Sequence, residues 1–185
     1  ATYSANQALG AFGGTGRGGG LDNTGEIGRI VSASLFANVA EGGLGVHALQ
    51  GPSLGGGIAN LGSIFEIAAS TLAGNECPVP IFLGQSAGGG IYNATDDVAP
   101  DDGLRLVDTL LADNLATDGA DCYSMGALSS LGYNLAESPD DSCSFASLGD
   151  IVGGDPQLLP PGDNGCTIAL PGGGCLLTVA IAATS

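Results

Sequence analysis

Three stretches decide the reading of this chain: "GGGLDN" at 18–23, "GGGIAN" at 55–60 and "GGGIYN" at 88–93. Each spells three glycines, an aliphatic residue, a variable residue and an asparagine. The starts lie 37 and 33 residues apart, from 18 to 55 and from 55 to 88. Self-similarity at that interval is the mark of a repeat architecture.

A second motif travels with the first. "ASLFAN" occupies 33–38, "STLAGN" 70–75 and "TLLADN" 109–114. The two asparagines of a unit are 15 apart in the first two units (23 to 38, 60 to 75) and 21 apart in the third (93 to 114). The six extra residues fall in the acidic turn "ATDDVAPDDG", 94–103.

Aligned on these motifs, the chain falls into columns. Leu21, Ile58 and Ile91 form one; Ile30, Ile67 and Leu106 another; Leu35, Leu72 and Leu111 a third. Short aliphatic stretches with period-two alternation read as strands. Glycine at each box allows φ > 0 and a tight corner. Each unit is therefore expected to make three short strands and three turns. Stacked units would place like over like at about 4.8 Å. Asn23, Asn60 and Asn93, and likewise Asn38, Asn75 and Asn114, would then hydrogen-bond along the stack. Arg29, Glu66 and Arg105 share a further column and are expected outside, opposite in sign.

Composition narrows the function. The 185 residues suit one domain, two at most, and 44% are apolar, enough for a core. Mean hydropathy is +0.32, yet no run of about 18 apolar residues exists, so no membrane span is expected. With 19 acids, three arginines and no lysine, the net charge is −16. That field repels nucleic acid and anionic lipid and favours cations as small partners. The five cysteines include no CxxC pair and His47 is the only histidine, which argues against zinc. Disulfides in an oxidising compartment fit better. The chain opens on Ala1 without a leader, which suits a mature secreted protein.

At "AGGGIYN", "LRLVDTLLADN" (104–114) and "ADCYSMGALSSLGYNLAESPDDSCSFASLGDIVGGDPQLLP" the chain resembles the bacterial secreted or cell-surface right-handed parallel β-helix repeat proteins. Those carry GGGIYN-type repeats and a C-terminal GYNL…C…GD…DPxL module. The likeness covers residues 15–165; "DNGC" at 163–166 departs from the family's "DNGG". It implies an all-β, right-handed parallel β-helix (a solenoid) of about four to six coils, an extracellular setting, and no catalytic residues. It also implies a Cys122–Cys143 disulfide. Cys166 and Cys175 flank "TIALPGGG" and are expected to form a second bridge. Cys77 is left over, either a buried thiol or a residue for intermolecular bonding or a reactive site.

The chain is thus expected to divide into an N-terminal segment 1–17, a β-helix 18–165 and a C-terminal strand or tail 166–185. In "CLLTVAIAATS", Leu177, Val179 and Ile181 alternate as in a strand, and open coil ends recruit other strands. The expected function is a self-assembling, head-to-tail subunit of a fibre or surface layer, with itself as partner. The alternative is an adhesion module binding glycans or calcium. Asp96, Asp97, Asp101 and Asp102 crowd one turn and could hold calcium, but no DxDxDG spacing supports it and a solvated acidic loop is the ordinary reading. A polysaccharide-active enzyme is the third reading. It needs two carboxyls at a set separation on one face, and the mid-strand acids Glu66 and Asp108 fall in different columns. No enzyme and no cofactor other than calcium is expected. "NAT" at 93–95 is a glycosylation sequon whose asparagine belongs to the corner column.

Overall fold

The computed structural model describes residues 1–46, 49–81, 84–94, 103–140, 142–159 and 162. These residues are all-β, with parallel sheets and no α-helix. The chain visits five sheets in the same cyclic order. The first sheet holds Thr2–Ser4, Ser34–Phe36, Thr71–Ala73, Leu110–Ala112, Leu135–Ala136 and Ile151–Val152. The second pairs Gln7–Leu9 with Val39–Glu41 and continues by single bridges at Glu76 and Leu115. The third holds Gly16–Arg17, Ser53–Leu54 and Ser86–Ala87. The fourth holds Leu21–Asn23, Ile58–Asn60, Ile91–Asn93 and Cys122–Ser124. The fifth holds Glu26–Val31, Ser63–Ala68, Leu104–Val107 and Leu128–Gly132.

The register follows the sequence columns. Leu72 pairs with Leu35 on one side and Leu111 on the other, and all three are buried. Ile58 lies between Leu21 and Ile91, and Ile67 between Ile30 and Leu106. Together these columns form one continuous apolar core.

Two features differ from the sequence reading. The first two passes make five strands each, because the segments between the asparagine motif and the next glycine box form the second and third sheets, which thin to single bridges on later passes. Those strands are two or three residues long, too short for alternation to register in the sequence. Residues 1–17, set apart in that reading, supply strands to the first three sheets.

The glycine boxes explain themselves in space. The first glycine of each box, Gly18, Gly55 and Gly88, has φ of +63°, +66° and +66°. The other two lie against the backbone of the next pass: a Cβ on Gly57 would stand 2.6 Å from the Gly90 carbonyl oxygen, and one on Gly90 2.4 Å from that of Asp121. Only glycine meets both demands.

The passes also change length. Successive strands of the first sheet start 32 residues apart (Thr2 to Ser34), then 37 (to Thr71), 39 (to Leu110), 25 (to Leu135) and 16 (to Ile151).

Candidate functional site

The conspicuous polar groups of the interior stand at the corners. At the corner between the fourth and fifth sheets, Asn23 Nδ2 donates to Asn60 Oδ1 at 2.8 Å, and Asn60 Nδ2 to Asn93 Oδ1 at 2.8 Å. Asn93 Nδ2 then donates to Ser124 Oγ, whose hydroxyl donates to the Gly126 carbonyl. Asn93 is fully buried, so its side chain in the "NAT" sequon is occupied by this stack.

At the corner after the first sheet a longer ladder runs. Asn6 Nδ2 donates to Asn38, Asn38 to Asn75, and Asn75 to Asn114, each to Oδ1 at 2.8–2.9 Å. Each Oδ1 also accepts the backbone N–H of the preceding rung. An amide both donates and accepts, so one residue type can continue the ladder indefinitely. The last rung, Asn114, donates to Asp121 Oδ1 at 2.8 Å, and Asp121 Oδ2 accepts the Ser138 N–H. A carboxylate only accepts and closes the series. Asp121 occupies the third-glycine position of a fourth, altered box, Gly119-Ala120-Asp121, because Ile91 pairs with Cys122. Burial pushes its carboxyl above the usual range.

A third corner, between the fifth and first sheets, was not read from the sequence. Ala33 N–H donates to Ser70 Oγ, Thr109 N–H to Asn134 Oδ1, and Asn134 N–H to Asp150 Oδ1. Serine, asparagine and aspartate each supply an acceptor, while the Thr109 hydroxyl donates to the Ile67 and Val107 carbonyls, so no repeated letter marks the column. Burial raises the Asp150 carboxyl, but hydrogen bonds from Ser130, Asn134 and Ser147 outweigh it and hold the pKa below the usual value. The residue just before a corner residue is repeatedly left-handed: Ala5, Ala37, Gly74 and Asp113 in the long ladder, and Ser32, Ala69, Asp108 and Tyr133 in the third corner.

Outside the core, Glu66 is in register with Arg29 and Arg105. Arg29 Nε donates to Glu66 Oε1 at 2.9 Å, and Arg105 lies over the Phe65 ring at 4.4 Å. Asp108, expected mid-strand, instead follows the end of Leu104–Val107 at the third corner with φ of +50°, in a different column from Glu66. Cys122 and Cys143 form a disulfide. Cys77 is buried and unpaired, its thiol pushed up to about 12 by burial, so it is not a reactive thiolate. Among the described residues no group of three His, Cys, Asp or Glu gathers as a metal site would. Asp96, Asp97, Asp101, Asp102, His47, Cys166, Cys175 and the tail at 176–185 lie outside the described residues.

The first pass carries an apolar cleft of about 290 Å³, lined by Tyr3, Leu21, Ile27, Ile30 and Leu35, with Arg29 among its walls. Leu21, Ile27 and Ile30 are only half-buried, whereas their column mates Ile58, Ile64 and Ile67 are fully buried. An apolar cleft beside strand edges can receive a further strand; it offers no acid–base pair. No helix among the described residues is long and apolar enough to cross a membrane. No protein family, curated protein or solved structure matches the chain.

Proposed function

We propose that the chain is an extracellular structural protein that adds to itself end to end. Its passes wind as a right-handed parallel β-helix, of the kind seen in the bacterial surface proteins it resembles. The cyclic order of five parallel sheets supports the winding, and strand twist favours a right-handed crossover. The Cys122–Cys143 bridge fits an oxidising compartment. The observation that carries the reading is the first-pass cleft. Leu21, Ile27 and Ile30 need one more layer to reach the burial of their column mates. The segment bearing Leu177, Val179 and Ile181, which lies outside the described residues, has in its sequence the alternation by which a second copy would supply it. Such a contact is head to tail and extends unless its rotation closes.

Sedimentation velocity across a concentration series tests this. The wild-type chain should form a ladder of oligomers, and Ile27→Lys combined with Ile30→Lys should abolish the extended ladder. A chain with no oligomer ladder, or a ladder unchanged in the double variant, overturns end-on assembly. Glycan-array binding by a monomer would favour the adhesion module instead.

A further inference from the structure

Between the second and third sheets the first three passes carry loops, described at residues 10–15, at 42–46 with 49–52, and at 77–81 with 84–85. These loops contain no Asp, Glu, Lys or Arg, in a chain with 19 acids and a net charge of −16. They are joined to one another. Gly13 N–H donates to the Leu44 carbonyl at 3.1 Å and Gly43 N–H to that of Gly14 at 2.8 Å. The buried Gln50 amide donates to Gly42 O and accepts the Ile81 N–H, both at 3.0 Å.

Their tips are apolar and face water. Phe12 is 76% exposed, Val46 61%, Leu49 47% and Ile81 71%. Phe12, Val46 and Leu49 surround a groove of about 350 Å³. Single exposed apolar residues need no explanation; several on hydrogen-bonded neighbouring loops around one groove mark an interaction surface. The stripe stops at the fourth pass, where the loop shortens and Asp118 is exposed.

Charge identifies the occupant. A basic partner would be drawn to the carboxylates elsewhere, and anionic lipid or nucleic acid would be repelled. Insertion into a neutral bilayer relies on Trp and Tyr at the interface. The chain has no Trp, and the three loops carry no Tyr. A second copy fits: contact through most other faces would bring carboxylates together, whereas this stripe meets its own image without charge. In a two-fold contact between two such stripes the middle loop faces its counterpart.

We propose that this uncharged loop stripe is a lateral self-association surface, where two copies pair through a two-fold contact centred on Val46 and Leu49. It is independent of the end-on reading, because the stripe and the first-pass cleft share no residue.

The test is sedimentation equilibrium of the full chain carrying Val46→Lys or Val46→Glu, and of an equimolar mixture of the two. Each variant alone should pair at least about tenfold more weakly than wild type, and the mixture should recover pairing. Both changes sit on an exposed tip, and a thermal melt equal to wild type establishes that folding is intact; Leu49→Lys with Leu49→Glu repeats the design at a second position. The Ile27→Lys, Ile30→Lys variant should keep the pair while losing longer species, so the two proposals fail separately. A wild-type chain with no lateral pair, variants that pair like wild type, or a mixture that recovers nothing would overturn the lateral contact. So would flotation of the wild-type chain with phosphatidylcholine vesicles.

Discussion

The first three passes and the two that follow are built on different rules. In the early passes, 32 to 39 residues long, the same residue recurs in the columns that set the register: leucine over leucine at 35, 72 and 111, asparagine over asparagine at 38, 75 and 114. From Leu110 onward the passes shrink to 25 and then 16 residues, and after Asn114 the repeated letters disappear. Asparagine gives way to Asp121 and Asp150, and a glycine box to Gly119-Ala120-Asp121. The lesson concerns termination. A neutral amide can pass a hydrogen bond on without limit, whereas a carboxylate takes donors and passes nothing. Stacking in the long passes rests on side-chain columns, and the short passes are held by terminators and a covalent bridge.

If this division is right, substitutions in the two regions should differ in size and in character. The largest loss is expected at Leu72→Ala, in the centre of the leucine column, at about 3–5 kcal/mol of unfolding free energy in a denaturant titration. A loss under about 1 kcal/mol would mean the column does not carry the long passes. Cys143→Ser should cost about 3 kcal/mol, from reopening the loop closed across a sequence separation of 21. Limited proteolysis should then cut first after residue 121 and leave the long passes whole. Cutting in the early passes would break the comparison.

Asp121→Ala removes the acceptor for Asn114 and for Ser138 N–H and strands one buried donor, that of Asn114, while Ser138 is exposed to water, so about 1–2 kcal/mol should be lost. The smallest effect is expected at a corner. Gly74 has φ of +60° with open space around its Cα, so Gly74→Ala should cost only about 1 kcal/mol, read as a small fall in Tm.

The pH dependence sharpens the contrast between the two terminators. Burial raises Asp121 above its unfolded value, so the folded state holds that proton more tightly. Its influence on stability is most favourable below the unfolded pKa and declines as pH rises through the folded one. Asp150 is the reverse: its hydrogen bonds outweigh burial, and the stability it brings is present above the unfolded pKa and lost as pH falls through the folded one. Melts of Asp121→Asn and Asp150→Asn between about pH 3 and about pH 7 should therefore deviate from wild type with opposite slopes. Slopes of the same sign would refute the assignment.

The long passes were legible in the sequence because their geometry admits one residue type per position. Only glycine fits against the neighbouring backbone at Gly57, and an amide is needed to carry the ladder through Asn75, so spacing alone reveals the register. Asn6 belongs to the same ladder and carries the same "AN" ending, but too little of the repeat precedes it for the match to stand out. The third corner was hidden for the opposite reason. Ser70, Asn134 and Asp150 share an acceptor role and no letter, Thr109 donates from the same column, and the left-handed residues before Ala33, Ser70, Thr109 and Asn134 are serine, alanine, aspartate and tyrosine, with a glycine only before Asp150. The uncharged loops were visible as composition, but only the stacking of passes brings them to one stripe. The Cys122–Cys143 pairing came from the family likeness rather than from spacing.

The central claim is the parallel stack in this register, and a nuclear Overhauser spectrum of the isotope-labelled full chain tests it most directly. The account predicts cross-peaks between the backbone protons of Leu72 and those of both Leu35 and Leu111, and between the side-chain amide of Asn75 and the backbone amide of Asn38. Cross-peaks joining Leu72 to neighbours one or more residues out of that register, or a pattern of antiparallel pairs, would contradict it.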